Sequence, residues 1–315
     1  MTALGTSDLD VFPLSFGGNV FGWTADRDTS FAILDAFVAG GGDFVDSADV
    51  YSAWAPGNSG GESETIIGQW LASRRPDGVV VATKVSKHPD FRGLSASNVR
   101  AGAEASLRRL GVEAIDLYYA HAEDPDTPLE ETVAAFGALV TDGLIRYPAI
   151  SNFSAENTRE WVRIARELGV AEPVAVQPRY NLVDRTIERD LVPVADELGL
   201  AVVPYSALAS GFLTGKYRSS DPAGQASPRA GTAASYATAE GLAIIAALEE
   251  AASAHDVSVA SAALGWLRAK GTVPIASASR VEQVDGLLAG ARLELSADEI
   301  ASLDAASDAY AATKV

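Results

Sequence analysis

Four residues of this chain can hold or move a proton, and each closes or follows an apolar run. Asp46 and Tyr51 lie in Val45-Asp46-Ser47-Ala48-Asp49-Val50-Tyr51. Lys84 ends Val79-Val80-Val81-Ala82-Thr83-Lys84, and His121 ends Ile115-Asp116-Leu117-Tyr118-Tyr119-Ala120-His121. A further run, Ile150-Ser151-Asn152, ends in a hydroxyl and an amide. A tyrosine, a lysine, a carboxylate and an imidazole make a proton-handling set with no metal requirement. A free tyrosine, with a pKa of about 10, is a reluctant acid at neutral pH. An adjacent ammonium stabilises the phenolate and lowers that value. The ammonium in turn needs a carboxylate if it is buried, because an unpaired buried charge costs several kcal/mol.

These residues meet only if their runs are parallel strands ending at one edge. Short apolar runs lie near Leu14–Gly17, Asp43–Asp46, Val79–Val85, Ile115–His121, Tyr147–Ile150, Val174–Gln177, Ala201–Tyr205 and Thr272–Ser277. Their valine and isoleucine content and lack of alternation suit strands buried on both faces. Between them, Phe31, Leu34, Phe37 and Val38 fall on one helical face, as do Ile66, Ile67, Trp70 and Leu71, and Val99, Ala103, Leu107 and Leu110. Ser97-Asn98, Ser154 and Ser258 read as helix starts, and Gly40, Gly111, Gly169 and Gly199 as stops. Eight such units predict an α/β fold, a closed (β/α)8 TIM barrel; the alternative from pattern alone is a doubly wound sheet. A barrel gathers its chemistry at the carboxyl ends of its strands.

Residues 3–12 read as an N-terminal β-hairpin around Thr6-Ser7-Asp8. Residues 206–236 are rich in Gly, Ser, Pro and Ala without clear period, and residues 209–236 are expected to close over a bound anion. Extra helices are expected in the C-terminal half, at 239–254 and from Ser296, where Glu299 gives a capping-box spacing. No linker divides the chain, so residues 1–315 are expected to form a single domain.

The chain has no cysteine, which rules out a disulfide framework and thiolate metal sites. His88 and His255 read as solvent-facing, and no metal is expected. The net charge of −18 disfavours nucleic acid and anionic membrane as partners. It also means that any anionic cofactor needs local positive charge. The amino terminus lacks the regions of a signal peptide, and no apolar stretch approaches a membrane span. These readings predict a soluble, cytoplasmic protein and leave its oligomeric state open.

The run Gly42-Asp43-Phe44-Val45-Asp46-Ser47-Ala48-Asp49-Val50-Tyr51, followed by Gly61-Glu62-Ser63-Glu64, resembles the signature of the aldo-keto reductases. Ala82-Thr83-Lys84, Ile115 through His121, Ser151-Asn152-Phe153, Gln177-Pro178-Arg179-Tyr180-Asn181-Leu182 and Tyr205-Ser206-Ala207-Leu208-Ala209-Ser210-Gly211 extend the resemblance along nearly the whole chain. It implies an NAD(P)H-dependent oxidoreductase that reduces aldehydes or ketones reversibly, with NADPH (NADP+) as cofactor and a small carbonyl compound as substrate. Carried over, Tyr51 is the proton donor, Lys84 and Asp46 tune it, and His121 orients the carbonyl.

Ser151, Asn152 and Gln177 match the residues that hold the nicotinamide carboxamide, and Tyr205 the aromatic that stacks on its ring. Ser206, Leu208, Ser210 and Lys216 match the pyrophosphate strap. At the adenosine end, Ser277, Ser279, Arg280 and Gln283 offer a phosphate seat, with free backbone N–H groups and an arginine suited to a ribose 2′-phosphate; the alternative is N-cap serines beside a solvated arginine. Leu287 stands where the family has an asparagine against adenine. Asn19, Trp23 and Trp54 are placed at the substrate side, where either tryptophan has the alternative of packing under a loop. The rival reading is a regulatory NADP-binding protein related to the β-subunits of potassium channels, with little turnover.

Overall fold

Each of the eight apolar runs overlaps a strand, and all eight strands are parallel. A computed structural model describes residues 1–221 and 227–313. After a two-stranded antiparallel hairpin, β1 (Thr2–Ala3) and β2 (Asp10–Val11), come β3 (Ser15–Gly17), β4 (Phe44–Asp46), β5 (Val80–Val85), β6 (Ile115–Ala120), β7 (Ile145–Ser151), β8 (Ala175–Gln177), β9 (Ala201–Val202) and β10 (Ile275–Ala276). Neighbours pair in the order β10-β3-β4-β5-β6-β7-β8-β9. The ring then closes: Val273 N–H donates to Val202 O at 2.9 Å and Ile275 N–H to Pro204 O at 2.8 Å. Closure removes the open edge that a doubly wound sheet would keep. Gly17 permits the β3–β10 seam, since a Cβ there would lie 2.6 Å from Ser277 Oγ.

The helices after β3 to β8 are α1 (Arg27–Ala39), α2 (Glu62–Arg74), α3 (Ala96–Leu110), α4 (Leu129–Thr141), α5 (Ala155–Leu168) and α6 (Leu191–Leu198). Between β9 and β10 lie α7 (Ala230–Ala234), α8 (Ala239–Ala254) and α9 (Val259–Ala269); α10 (Val284–Arg292) and α11 (Ala297–Ala312) complete the chain. The expected extra helices are α8 and α11, and Ser296 and Glu299 form the capping box. Ser154 and Ser258 cap α5 and α9 as read, whereas α3 starts earlier, with Ser95 accepting from Asn98 N–H. The 206–236 segment is not structureless. Ala209–Thr214 forms 3-10 turns and α7 adds a short helix, because Phe212, Leu213, Ala233 and Ala234 find buried partners. Residues 222–226 of the segment expected to close over an anion lie outside the described residues.

The strands divide their side chains by parity. Phe44, Val80, Ala82, Leu117, Tyr119, Ala149 and Ala175 fill the barrel interior, and Leu4, Leu9 and Val11 of the hairpin pack against that set. Val45, Val81, Val85, Tyr118, Ala120, Ile150 and Val176 face the helices instead. Side chains alternate along a strand, so Asp46, Lys84, His121, Ser151 and Gln177 continue the inward series. That parity brings them to one mouth.

Candidate functional site

Lys84 is the hub of the mouth. It is wholly buried, and its ammonium donates to Asp46 Oδ2 at 2.6 Å, Ser47 O at 2.6 Å and Tyr51 Oη at 2.9 Å. Three N–H groups thus meet three acceptors. The phenol of Tyr51 lies 3.3 Å from Asp46 Oδ2, and Gln177 Nε2 donates to Asp46 Oδ1 at 2.9 Å. Burial lowers the Lys84 pKa, and the Asp46 carboxylate opposes that shift.

For Tyr51 the expected direction is overturned. Burial, and then the field of the Asp46 carboxylate, hold its pKa well above the ordinary value of a phenol. Desolvation of the phenolate outweighs the nearby ammonium, so Tyr51 stands as a neutral phenol. His121 is neutral too. Burial, and then the ammonium groups of Lys84 and Lys87, push its pKa well below the ordinary value. Its ring lies 6.2 Å from that of Tyr51, and its Nδ1 has no partner among the described residues. A phenol and a neutral imidazole therefore face one cavity.

That cavity has a volume of about 1030 Å³ and runs from Tyr51 and His121 to Arg280 and Leu287. Ser151, Asn152, Gln177, Tyr205, Ser206, Leu208, Ser210, Lys216, Ser277, Ser279, Arg280 and Gln283 all line it. Ser151 donates to Gln177 O at 2.8 Å, and Asn152 Nδ2 to His121 O at 2.9 Å. Tyr205 donates to Asn152 Oδ1 at 2.8 Å. These bonds fix the amide-bearing side chains at the strand ends. Asn152, Ser206 and Ser210, which line the cavity, hold positive φ, strain that clusters on its wall. Lys216 and Arg280 carry no ion pair among the described residues, so the cavity has the local positive charge that an anionic cofactor needs.

Several expectations need correction. The N–H groups of Ser279 and Arg280 are not free, because both donate to Gln283 Oε1, at 2.9 and 3.2 Å. Asn19 itself stands as expected on the cavity lining, its Oδ1 accepting from Ser277 Oγ at 2.7 Å. Trp23 lines the cavity, whereas the exposed Trp54 stands behind it, edge-on to Trp23 at 5.6 Å and to Tyr51 at 6.1 Å. His88 is buried rather than solvent-facing. Its Nδ1 accepts from Asp90 N–H at 3.1 Å and its ring packs on Phe91.

Three residues near the site were not singled out from sequence. Lys87 and Arg229 line the cavity beside Tyr51 and His121. Lys87 follows the carboxyl end of a strand, a signal that could have flagged it; Arg229 sits in an irregular segment that gave none. Asp49 lies behind the mouth, wholly buried, its N–H bonded to Lys84 O and both carboxyl oxygens without partners among the described residues. Burial, and then the Glu64 carboxylate, push its pKa up to about 8.

Comparison with known proteins gives a consistent family. The model of the aldo/keto reductase family matches residues 13–308. A probable voltage-gated potassium channel subunit beta of Oryza sativa subsp. japonica is 37% identical over 68% of this chain, a match that covers 65% of that protein. Norsolorinic acid reductase B of Dothistroma septosporum is 30% identical over 96% of this chain and 79% of its own length. The structure of the glycerol dehydrogenase AKR11B4 from Gluconobacter oxydans superposes with a TM-score of 0.84, at 28% identity, covering 98% of this chain and 95% of that one.

Proposed function

The chain belongs to the aldo/keto reductase family, and on that premise we propose that it is an NADPH-dependent oxidoreductase that reduces aldehydes or ketones to alcohols, reversibly, with the proton coming from Tyr51. The observation that carries this reading is the Lys84 ammonium, shared between Asp46 Oδ2 and Tyr51 Oη at the wall of a large cavity. The nicotinamide, when bound, supplies the hydride. Ser151, Asn152 and Gln177 would hold its carboxamide and Tyr205 its ring. Ser206, Leu208, Ser210 and Lys216 would hold the pyrophosphate, and Ser277, Ser279, Arg280 and Gln283 the adenosine end.

In this reading a carbonyl oxygen lies between Tyr51 and His121, with Trp23 as an apolar wall and Asn19 and Trp54 bracing it. Neutral His121 donates a hydrogen bond to that oxygen. The proton on Tyr51 Oη passes to the oxygen as it becomes an alkoxide. An alkoxide is a stronger base than a phenolate, so the raised Tyr51 pKa does not block the transfer. It keeps the proton in place until the alkoxide forms. The phenolate left behind accepts from Lys84, whose own charge is held by Asp46. Both groups thus act on charge that develops only during the reaction.

The test is loss of NADPH absorbance with a panel of small aldehydes, for wild type and Tyr51→Phe. Turnover by wild type that the variant loses supports the reading. The similarity to the rice channel subunit favours a second one, in which NADP occupancy serves regulation. NADPH binding without turnover across the panel would select it.

A further inference from the structure

Two basic side chains stand at the active-site end of the cavity with no carboxylate to meet them. Lys87 follows β5 and Arg229 precedes α7, so distant parts of the chain bring them to the cavity that Tyr51, His121 and Trp23 also line. The Arg229 guanidinium lies 5.2 Å from the centroid of the Trp23 ring. Among the described residues neither cation makes an ion pair, although acidic residues outnumber basic ones 42 to 24. Arg74, Arg109, Arg146, Arg163 and Arg185 all meet carboxylates.

The two cations act on the reacting groups. The Lys87 ammonium depresses the His121 pKa, and the field of Tyr51 acts on Arg229. Burial disfavours the charged form of both cations. Of the carboxylates that line the cavity, Asp46 is engaged by Lys84 and Gln177, and Glu282 lies at the far end beside Arg280. The remaining acid in reach of Lys87 is Asp49, whose field acts on the lysine but whose pKa burial pushes up to about 8, which weakens it as a counter-charge at neutral pH. Lys87 is exposed and Arg229 half-buried, so the arginine is the cation whose partial desolvation a bound anion would offset, with the lysine adding charge beside it. The Trp23 ring, within cation–π reach of the Arg229 guanidinium, helps hold it at the cavity, and a guanidinium suits a carboxylate.

We propose that this end of the cavity is an anion subsite, and that the preferred substrates are carbonyl compounds bearing a carboxylate, held by Lys87 and Arg229 while the carbonyl oxygen faces Tyr51 and His121. The proposal rests on the carbonyl-reductase reading and gives it a substrate class. It also accounts for how a chain of net charge −18 could draw in an anionic substrate, since only local positive charge overcomes the acidic surface.

The experiment compares 4-carboxybenzaldehyde with 4-formylbenzamide, a neutral analogue of nearly the same shape, at saturating NADPH. Wild type should favour the carboxylate in kcat/KM by about 10-fold or more, and Lys87→Met and Arg229→Gln should each collapse that ratio about 10-fold, as for loss of one charge-assisted hydrogen bond. Calorimetric binding of benzoate to the NADP+-saturated protein should weaken in step. A wild-type ratio near one, or a ratio that neither variant changes, overturns the proposal. NADPH dissociation constants on the same proteins separate the other source of an anion. If Arg229→Gln weakens NADPH and leaves the ratio intact, the arginine serves the cofactor's phosphates and the subsite is refuted. If neither aldehyde turns over, the carbonyl-reductase reading fails by itself. Benzoate binding then decides the subsite: binding lost in both variants supports it, and no binding to wild type overturns it.

Discussion

Lys84→Met should destabilise the protein by an amount that the geometry sets. In the folded state Lys84 and Asp46 are 0% and 1% exposed, and the ammonium fills all three of its donor positions. Methionine matches the stem but leaves Ser47 O without this donor. Asp46 is then left with Gln177 Nε2 at 2.9 Å and the longer Tyr51 contact at 3.3 Å. Removing one partner of a buried pair costs about 3–5 kcal/mol, most of it the stranded charge. The double variant Asp46→Asn, Lys84→Met strands no charge, so it should recover about 2 kcal/mol or more of that loss, a coupling expected of neighbouring groups. Urea unfolding of wild type, both single variants and the double variant measures the cycle, with the midpoint and slope analysed together. Turnover on the same four proteins separates the two roles of the lysine. Stability should return in the double variant while kcat stays at the level of Lys84→Met. An unfolding free energy for Lys84→Met within about 1 kcal/mol of wild type would refute the buried-pair argument. Recovery of kcat in the double variant would refute a part for Lys84 in proton transfer.

Tyr51→Phe should keep the fold and the affinity for NADPH and lower kcat roughly 100- to 10,000-fold, the range for losing a positioned acid; a near-wild-type kcat would remove Tyr51 from the chemistry. Arg280→Ala should weaken NADPH about 10- to 100-fold and leave NADH nearly unchanged, as loss of a charge-assisted phosphate contact requires. Equal weakening of both cofactors at fixed ionic strength would place Arg280 on a part that they share. Asp49 carries a pH dependence of definite sign. Its carboxyl keeps a proton up to about pH 8 in the folded state, against 3.8 as the ordinary value. The folded state binds the extra proton across that window, so stability is lost as pH rises through it, by up to about 1.4 kcal/mol per unit. Asp49→Asn does not titrate, so its stability relative to wild type should climb between pH 5 and 8; a flat difference would mean that Asp49 is ionised throughout.

The eight strands and the convergence of Asp46, Lys84, His121, Ser151 and Gln177 were legible because two local signals coincide. Apolar runs mark strands buried on both faces, and an ammonium at the end of such a run announces a partner. What failed depends on tertiary surroundings. His88 looked like a surface residue because a histidine in a short polar, proline-containing stretch does not disclose what packs over it; here Phe91 does. The Tyr51 pKa moved opposite to expectation because pairing with Lys84 was readable, whereas the depth of burial was not. The N–H groups at Ser279 and Arg280 looked free because a glutamine folding back on its own turn is one of several rotamers open to it. Arg229 gave no signal, since it acquires its role only when its segment crosses the mouth to Trp23.

The seam between β3 and β10 sets the order in which the molecule can assemble. Ser277 and Asn19, which bond across it, are 258 positions apart. Bringing such distant ends together costs about 5 kcal/mol of loop-closure entropy, and non-local contacts of this kind slow folding. On the ribosome, β3 through β9 emerge before β10 exists, so a growing chain carries two unpaired strand edges, the sites most exposed to misassembly. The last strand is also the one that leads directly to Ser277, Ser279 and Arg280. A ligand held there and at β7 and β8 would bridge the final closure step, so nicotinamide cofactor in the cell would act on this barrel as a folding clamp as well as a reactant.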